Sequence, residues 1–384
     1  MPAYESPAES AQPTATGGEG VPVVHPLELT SGVVKLTRTL CDVPSVSGDE
    51  SLIADLIETA LRELGHLEVV RNANAIVART TLGRAQRVVV AGHIDTVPIA
   101  NNLPVRVVGE GAYRELWGRG TVDMKGGVAV QLALAAELVA PTRDVTWVFY
   151  DNEEVASTLN GLGRLSREAP ELLHADFAVL CEPTAAGIEG GCNGTVRVHV
   201  RVPGETAHSA RSWMGTNAIH AASEVLNRLA AYQPASIEVD GLVYREGMNA
   251  VGIRGGVAGN VIPDECVVTV NFRFAPSRSV AEAVDHVRSL FHGFEVTVDD
   301  AAPGARPGLD APLAAEFTEA VLALTGGVPA PKYGWTDVAR FAELGIPAVN
   351  FGPGDPLLAH KDNEHCPASQ IEICYTALRA WLTA

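Results

Sequence analysis

Between Glu50 and Cys181 helix-period segments alternate with short apolar runs, and acids and histidines cluster just past the ends of those runs. Glu50–Leu64 repeats Leu52, Ile53, Leu56, Ile57, Leu61 and Leu64 at helical spacing. Strand-like runs follow at Leu67–Arg71, Ala75–Arg79 and Arg87–Ala91. Lys125–Leu138, rich in Ala and Leu, reads as a buried helix, Val145–Tyr150 as a strand, Leu159–Glu168 as a polar helix and Phe177–Cys181 as a strand. This alternation predicts an α/β fold, a mixed, mainly parallel sheet covered by helices. A further helix is expected at Leu27–Leu40. In open sheets of this kind, sites lie outside the carboxyl ends of the strands. His93, Asp95, Glu153, Glu154 and Glu182 all fall at or just after such ends.

The pattern changes near Gly190. Val196–Val202 alternates Val with Arg or His, which makes a strand with one polar face. A helix at Thr216–Ala231, strands at Ala250–Val257 and Glu265–Phe274, and a helix at Val280–Phe291 follow. Strand, helix, strand, strand, helix, strand is a compact α+β unit, so residues 191–306 are expected to be a domain inserted into a larger one formed by 25–190 and 307–384. The larger domain resumes with helices at Ala311–Leu324 and Ala368–Leu382. Two domains suit 384 residues, too many for one ordinary core. Residues 1–24, rich in Ala, Pro, Ser, Thr, Glu and Gly, are expected to be a disordered tail.

A net charge of −18 argues against nucleic acid as a partner, because phosphate binding needs clustered Lys and Arg. The six cysteines form no CxxC pair, so a disulfide framework or zinc ribbon is not expected, and reduced thiols in a cytoplasmic protein fit better. No apolar run approaches the roughly 20 residues of a membrane span, and the N-terminus lacks the basic start and apolar stretch of a signal peptide.

The chemistry lies in scattered carboxylates and imidazoles. In an extended strand end, residues i and i+2 face the same way, so His93 and Asp95 can touch. A carboxylate behind a metal-binding histidine fixes its tautomer, although His-X-Asp also occurs in ordinary turns. Asp123, in Gly118-Arg-Gly-Thr-Val-Asp-Met-Lys-Gly-Gly127, reads either as a helix N-cap or as a carboxylate bridging two metals. Glu153 and Glu154 form either an exposed acidic loop or a pair with divided labour, one binding metal and the other holding water. Glu182 follows an apolar strand, and His360 follows the Gly- and Pro-rich Phe351–Pro356, with His365 close by. Such a set can build a two-metal site with a carboxylate left over as base, the equipment for splitting an amide with water.

Singly these signals are weak, but in order and spacing the set resembles the M20 family of di-zinc amidohydrolases over residues 27–384. Ala91–Pro98, Ala207–Trp213, Gly255–Pro263, Val270–Pro276 and Lys332–Phe341 are most similar to its actinobacterial members that act on N-succinyl-LL-2,6-diaminopimelate. The resemblance implies two Zn²⁺ per subunit, with Co²⁺ as a possible substitute. His93 and Glu182 would bind one, Glu154 and His360 the other, and Asp123 would bridge them. Asp95 would orient His93. Glu153 would be the general base for a metal-activated water. His360 is preferred over His365 because the family histidine lies four residues before a glutamate, here Glu364. The inserted domain would be a dimerisation and lid domain, forming a homodimer and contributing His208 to stabilise the oxyanion. Asn193, Asn260, Arg273, Thr336, Asp337, Arg340 and Gly352 would hold the substrate.

The implied reaction is amide hydrolysis of the N-succinylated amino acid to succinate and LL-2,6-diaminopimelate, a step of lysine biosynthesis. Other family chemistries on the same metals, such as acetylornithine deacetylase, aminoacylase or carboxypeptidase activity, are the alternatives. A non-catalytic relative should lack a ligand or the base, and none is missing. No GxGxxG follows the early strands, which argues against a nucleotide-binding oxidoreductase. One departure concerns specificity: some desuccinylating relatives carry an arginine near the position of Asn193, where this chain has Gly191-Cys-Asn-Gly-Thr195.

Overall fold

The computed structural model describes residues 26–384, so the tail expected at 1–24 lies outside the described residues. An eight-stranded sheet organises most of the chain. Its order is Glu68–Asn72, Ala75–Arg79, Asp144–Tyr150, Arg87–His93, Phe177–Leu180, Ala348–Asn350, Glu189–Gly190 and Ala330–Pro331. The four central strands, Asp144–Tyr150 to Ala348–Asn350, run parallel, as does the outermost pair at the far edge. The other three pairings are antiparallel.

The central strands are buried on both faces, which is why they read as near-continuous apolar runs. Alternate residues feed two cores. Val88, Val90, Val145, Trp147 and Phe149 pack under helices Val33–Cys41, Ser51–Arg62, Lys125–Glu137, Pro312–Thr325 and Ala368–Thr383. Val89, Ala91, Val148 and Tyr150 pack against helices Gly161–Glu168 and Val338–Glu343.

A second, four-stranded antiparallel sheet has the order Gly247–Gly255, Glu265–Phe274, Gly194–Pro203, Glu295–Ala302. Val196, Val198, Val200 and Val202 point into a separate core with helices Ser223–Ala231 and Val280–Leu290, the latter begun by a Ser279–Glu282 capping box. The chain passes to and from this sheet along two segments bonded to each other, Cys192 N–H to Ala305 O at 3.0 Å and Ala305 N–H to Cys192 O at 3.1 Å.

Two helices differ from expectation. The one expected from Leu27 starts at Val33, because Gly32 before it adopts φ +94°, a left-handed conformation outside the helix. The one expected over Thr216–Ala231 starts only after Thr216, which pairs as an isolated bridge with Glu205, and Asn217, which caps Ala218–Ala221. A break at Ala222 then separates Ser223–Ala231. No strand was expected at Glu189–Gly190, Ala330–Pro331 or Ala348–Asn350, segments of two or three residues too short for a periodicity signal.

Candidate metal centre

Parallel strands bring the acids and histidines to one edge. His93 ends its strand, and Glu153, Glu154 and Glu182 follow the two strands beside it. Asp123 lies just before helix Lys125–Glu137, and His360 sits in a loop at φ +65°. The Asp123 carboxylate spans two histidines: Oδ1 is 3.1 Å from His93 Nε2 and Oδ2 is 3.4 Å from His360 Nε2. His360 Nε2 is also 3.0 Å from Glu154 Oε2. Donor atoms of His93, Asp123 and Glu182 lie within 4.8 Å of one another, and so do those of Asp123, Glu154 and His360. Asp123 thus belongs to two adjoining three-donor sets. A third set joins His93 to Glu153 and Glu154.

Buried acceptors hold these donors in place. Asp95, fully buried, lies 3.4 Å from His93 Nδ1 through Oδ1, and its carbonyl lies 3.1 Å from the same nitrogen. With Nδ1 held against Asp95, His93 turns Nε2 toward the cluster. Asp95 also accepts hydrogen bonds from Ser47 Oγ (2.7 Å) and from the backbone N–H groups of Glu153 (3.0 Å) and Glu154 (3.1 Å). The preceding N–H, of Asn152 at φ +58°, donates to Glu50 Oε1 at 3.2 Å. Three consecutive amides of the two-glutamate loop therefore end on two buried carboxylates.

Glu364 performs the same service for Asp123. Its Oε1 accepts from Val122 N–H (2.9 Å) and Asp123 N–H (3.3 Å), while Oε2 pairs with buried Arg119 at 2.8 Å. We expect Glu364→Ala to weaken metal binding about 10–100-fold although it touches none of the donors, and Glu364→Gln, which keeps an acceptor, to restore most of it. Metal affinity of the two variants, measured by competition with a chromogenic chelator, checks this; equal losses in both would show that a hydrogen-bond acceptor is not what matters.

The electrostatics describe a site short of positive charge. Burial, reinforced by Glu154, Glu182 and Asp337 against the opposing pull of His93, pushes Glu153 well above the usual carboxylate range. Burial and then Asp123 raise Glu154 and push Glu182 up to about 8. For Asp123 burial also acts upward, but hydrogen bonds from His360 and His93 outweigh it and hold the group low. Hydrogen bonds to Asp123 and Glu154 raise His360 to about 10. Glu182 Oε1 is buried without a hydrogen-bond partner among the described residues. An orphaned carboxylate oxygen among oxygen and imidazole donors fits a divalent cation, and the donor set suits zinc, cobalt or manganese.

The cluster floors a cavity of about 500 Å³. Asp123, Glu153, Glu154, Glu182 and His360 line one side. Thr195, Arg197, Asn271, Arg273, Asp300 and Ala302 of the second sheet line another, with Lys332–Thr336 between. Among the expected substrate residues, Arg273 and Thr336 are in this wall. Arg273 Nε donates to Asn271 Oδ1 at 3.1 Å, and its two terminal NH₂ groups make no hydrogen bond among the described residues.

The other expected substrate residues stand outside the wall. Asn193 is buried and donates to Arg245 O at 2.9 Å; Asp337 is buried and accepts from Asn160 at 2.9 Å. Arg340 lies over the Trp335 ring, 3.7 Å from Asp337. The Gly352 backbone packs where a Cβ would collide with the carbonyls of Cys181 and Glu182. Asn260 accepts Ser209 N–H through its carbonyl. His208 is exposed and outside its own chain's cavity, its Nδ1 accepting from Ala210 N–H at 3.1 Å. Sequence reasoning missed Ser47, Glu50, Arg197, Asn271 and Asp300. The alternation of Val196–Val202 was a signal for Arg197, and the place of Asn271 two residues before Arg273 in an expected strand was one for Asn271; nothing local marked Ser47, Glu50 or Asp300.

A family model described as peptidase family M20/M25/M40 matches residues 89–384. A Mycobacterium tuberculosis H37Rv protein named "Putative succinyl-diaminopimelate desuccinylase DapE" is 54% identical over 359 residues, covering 93% of this chain and 99% of that one. A Corynebacterium glutamicum succinyl-diaminopimelate desuccinylase is 48% identical over 367 residues, covering 93% and 98%. The crystal structure of a Staphylococcus aureus tripeptidase shares the fold with TM-score 0.76 at 21% identity, covering 91% of this chain and 97% of its own.

Proposed function

This chain belongs to peptidase family M20/M25/M40, and we propose that within it the chain hydrolyses the amide of N-succinyl-LL-2,6-diaminopimelate to succinate and LL-2,6-diaminopimelate. The observation that carries the reading is the near full-length identity to relatives that bear this activity in their names, joined to a wall arginine with an unused fork beside the carboxylate cluster. A substrate with three carboxylates needs such a fork, because guanidinium matches carboxylate in both charge and shape.

In this reading His93 and Glu182 would hold one zinc ion, Glu154 and His360 the other, and Asp123 would serve both. Cobalt is a possible substitute. The bound ions supply Lewis acidity, polarising the amide carbonyl and making water a better proton donor. Glu153 faces the cavity without a hydrogen bond to its carboxylate among the described residues, which leaves it open to take a proton from water and give it to the leaving amine. Asp95 fixes the backbone from which both Glu153 and Glu154 reach the cavity by gripping their two amides. Arg273 orients a substrate carboxylate.

Residues 191–306 act as a dimerisation and lid domain. In its favour, Gly247–Gly255 is an open sheet edge carrying exposed Val251 and Ile253, a face suited to pairing with a second copy. The exposed His208 would then reach the partner's cavity and donate to the oxyanion. A cytoplasmic location accords with six free, buried cysteines, and no helix among the described residues is long and apolar enough to cross a membrane.

Zinc-supplemented protein, assayed for amine release from N-succinyl-LL-2,6-diaminopimelate, N-acetyl-L-ornithine, N-acetyl amino acids and dipeptides, tests the assignment. We expect kcat/KM for the succinylated substrate to exceed the rest by about a hundredfold or more, since a site built for charged groups rejects analogues that lack them. Preference for an acetylated monocarboxylate would overturn it.

A further inference from the structure

We propose that Arg197 and Asp300 form a subsite for the free α-amino acid end of the substrate, Arg197 taking its carboxylate and Asp300 its ammonium. The proposal rests on the desuccinylase reading and adds to it which residues recognise the part of the substrate away from the amide.

The second sheet lays two cross-strand rows on the cavity wall. One is Arg273, Thr195 and Ala302; the next along the strands is Asn271, Arg197 and Asp300. Residues two apart in a strand share a face, so all six look into the cavity while Val196 and Val198 point to the core. Arg273 is within electrostatic reach of Glu153 as well as of Arg197 and Asp300. Its row adjoins the Asn271, Arg197 and Asp300 row in the one cavity wall, and we take the latter to meet what extends beyond the amide.

The strand Glu295–Ala302 is irregular at this point. Its pairing runs regularly to Val298 opposite Val198, then shifts so that Asp300, not Asp299, is opposite Arg197. Such bulges re-aim side chains near sites. The extra residue, Asp299, remains beside Arg197, with Oδ2 2.5 Å from Nε, and also lies 3.7 Å from His199. Asp299 is not in the cavity wall, whereas Asp300 is.

Two carboxylates thus surround one guanidinium. Asp299 occupies Nε, leaving the terminal nitrogens, of which Nη2 is 4.0 Å from Asp300 Oδ2. Ser157 Oγ donates to Asp300 Oδ1 at 3.1 Å and fixes it to the loop that follows Glu154. What faces the cavity is a guanidinium edge with free donors next to a surplus negative charge. That pattern matches an ammonium and a carboxylate on one carbon. It would also supply the guanidinium that Asn193, buried and bonded to Arg245, does not offer.

The test compares kcat/KM for N-succinyl-LL-2,6-diaminopimelate with Nα-succinyl-L-lysine, which lacks the distal carboxylate, and with N-succinyl-L-2-aminopimelate, which lacks the distal ammonium. Arg197→Ala and Arg197→Lys are expected to reduce the preference over the lysine analogue about 10–100-fold, and Asp300→Asn the preference over the aminopimelate analogue by a similar factor. Asp299→Asn, which removes the outer partner of Arg197, should keep both ratios. Arg197→Lys retains a cation for the cross-strand pairs, so its loss of selectivity would report the fork and not misfolding. Ratios unchanged in the Arg197 and Asp300 variants, or all three substrates slowed alike, would overturn the subsite while leaving the desuccinylase reading intact. A wild-type protein inactive on all three would overturn that reading and the subsite with it.

Discussion

Removal of divalent metal is expected to take amide hydrolysis below detection, and readdition of Zn²⁺ to restore it. The reason is electrostatic as well as chemical. Asp123, Glu153, Glu154 and Glu182 crowd one floor, and despite His93, His360 and Lys332 nearby three of these four carboxylates are pushed toward the protonated state. Divalent cations supply the missing positive charge and the Lewis acidity that uncatalysed amide hydrolysis lacks. The same cations should raise the melting temperature, since a ligand bound only by the folded state adds about 4 kcal/mol when present at a thousand times its Kd. Activity and thermal melting of chelated and reloaded protein check both parts. Full activity in demonstrably metal-free protein would remove the metals from the mechanism.

Glu153→Gln is expected to keep its metals and lose about 10²–10⁴ in kcat, the usual contribution of a positioned acid or base. Glutamine preserves volume and the backbone N–H held by Asp95, so the loop stays in place. Glu154→Gln should behave differently. Its carboxylate lies 3.0 Å from His360 in one of the donor sets, so affinity at that set should fall before turnover is affected at saturating metal. Metal content by elemental analysis, set beside kcat for the two variants, separates the roles; a Glu153→Gln protein that loses metal while Glu154→Gln retains it would reverse them.

Much of the site could be read from local pattern. His93 and Asp95 were visible because two-residue spacing at a strand end puts side chains on one side, and their contact is indeed made at 3.4 Å. The central strands announced themselves as long apolar runs because both their faces are covered. The tier behind the site was hidden for the opposite reason. Glu50 and Glu364 look like surface acids in the sequence, yet both are buried, and their partners, Asn152 and Asp123, lie 102 and 241 residues away. The grip of Asp95 on the two-glutamate loop spans 58 residues and is equally nonlocal.

Arg197 shows where pattern stops. Alternation assigns it to the polar face of its strand, but only the packing of the second sheet over the cluster turns that face into a cavity wall. The one-residue shift at Asp299 is invisible in an acidic pair, and it decides which aspartate enters. The late helix from Leu27 has a simpler cause, a single glycine at positive φ, which no amphipathic count registers.

The most direct test is a calorimetric titration of chelated protein with Zn²⁺, with hydrolysis of the succinylated substrate followed on the same samples. Because Asp123 offers one oxygen toward each histidine, two cations per chain are expected, with activity rising as the sites fill. A single equivalent that restores full activity would contradict the shared, two-cation centre.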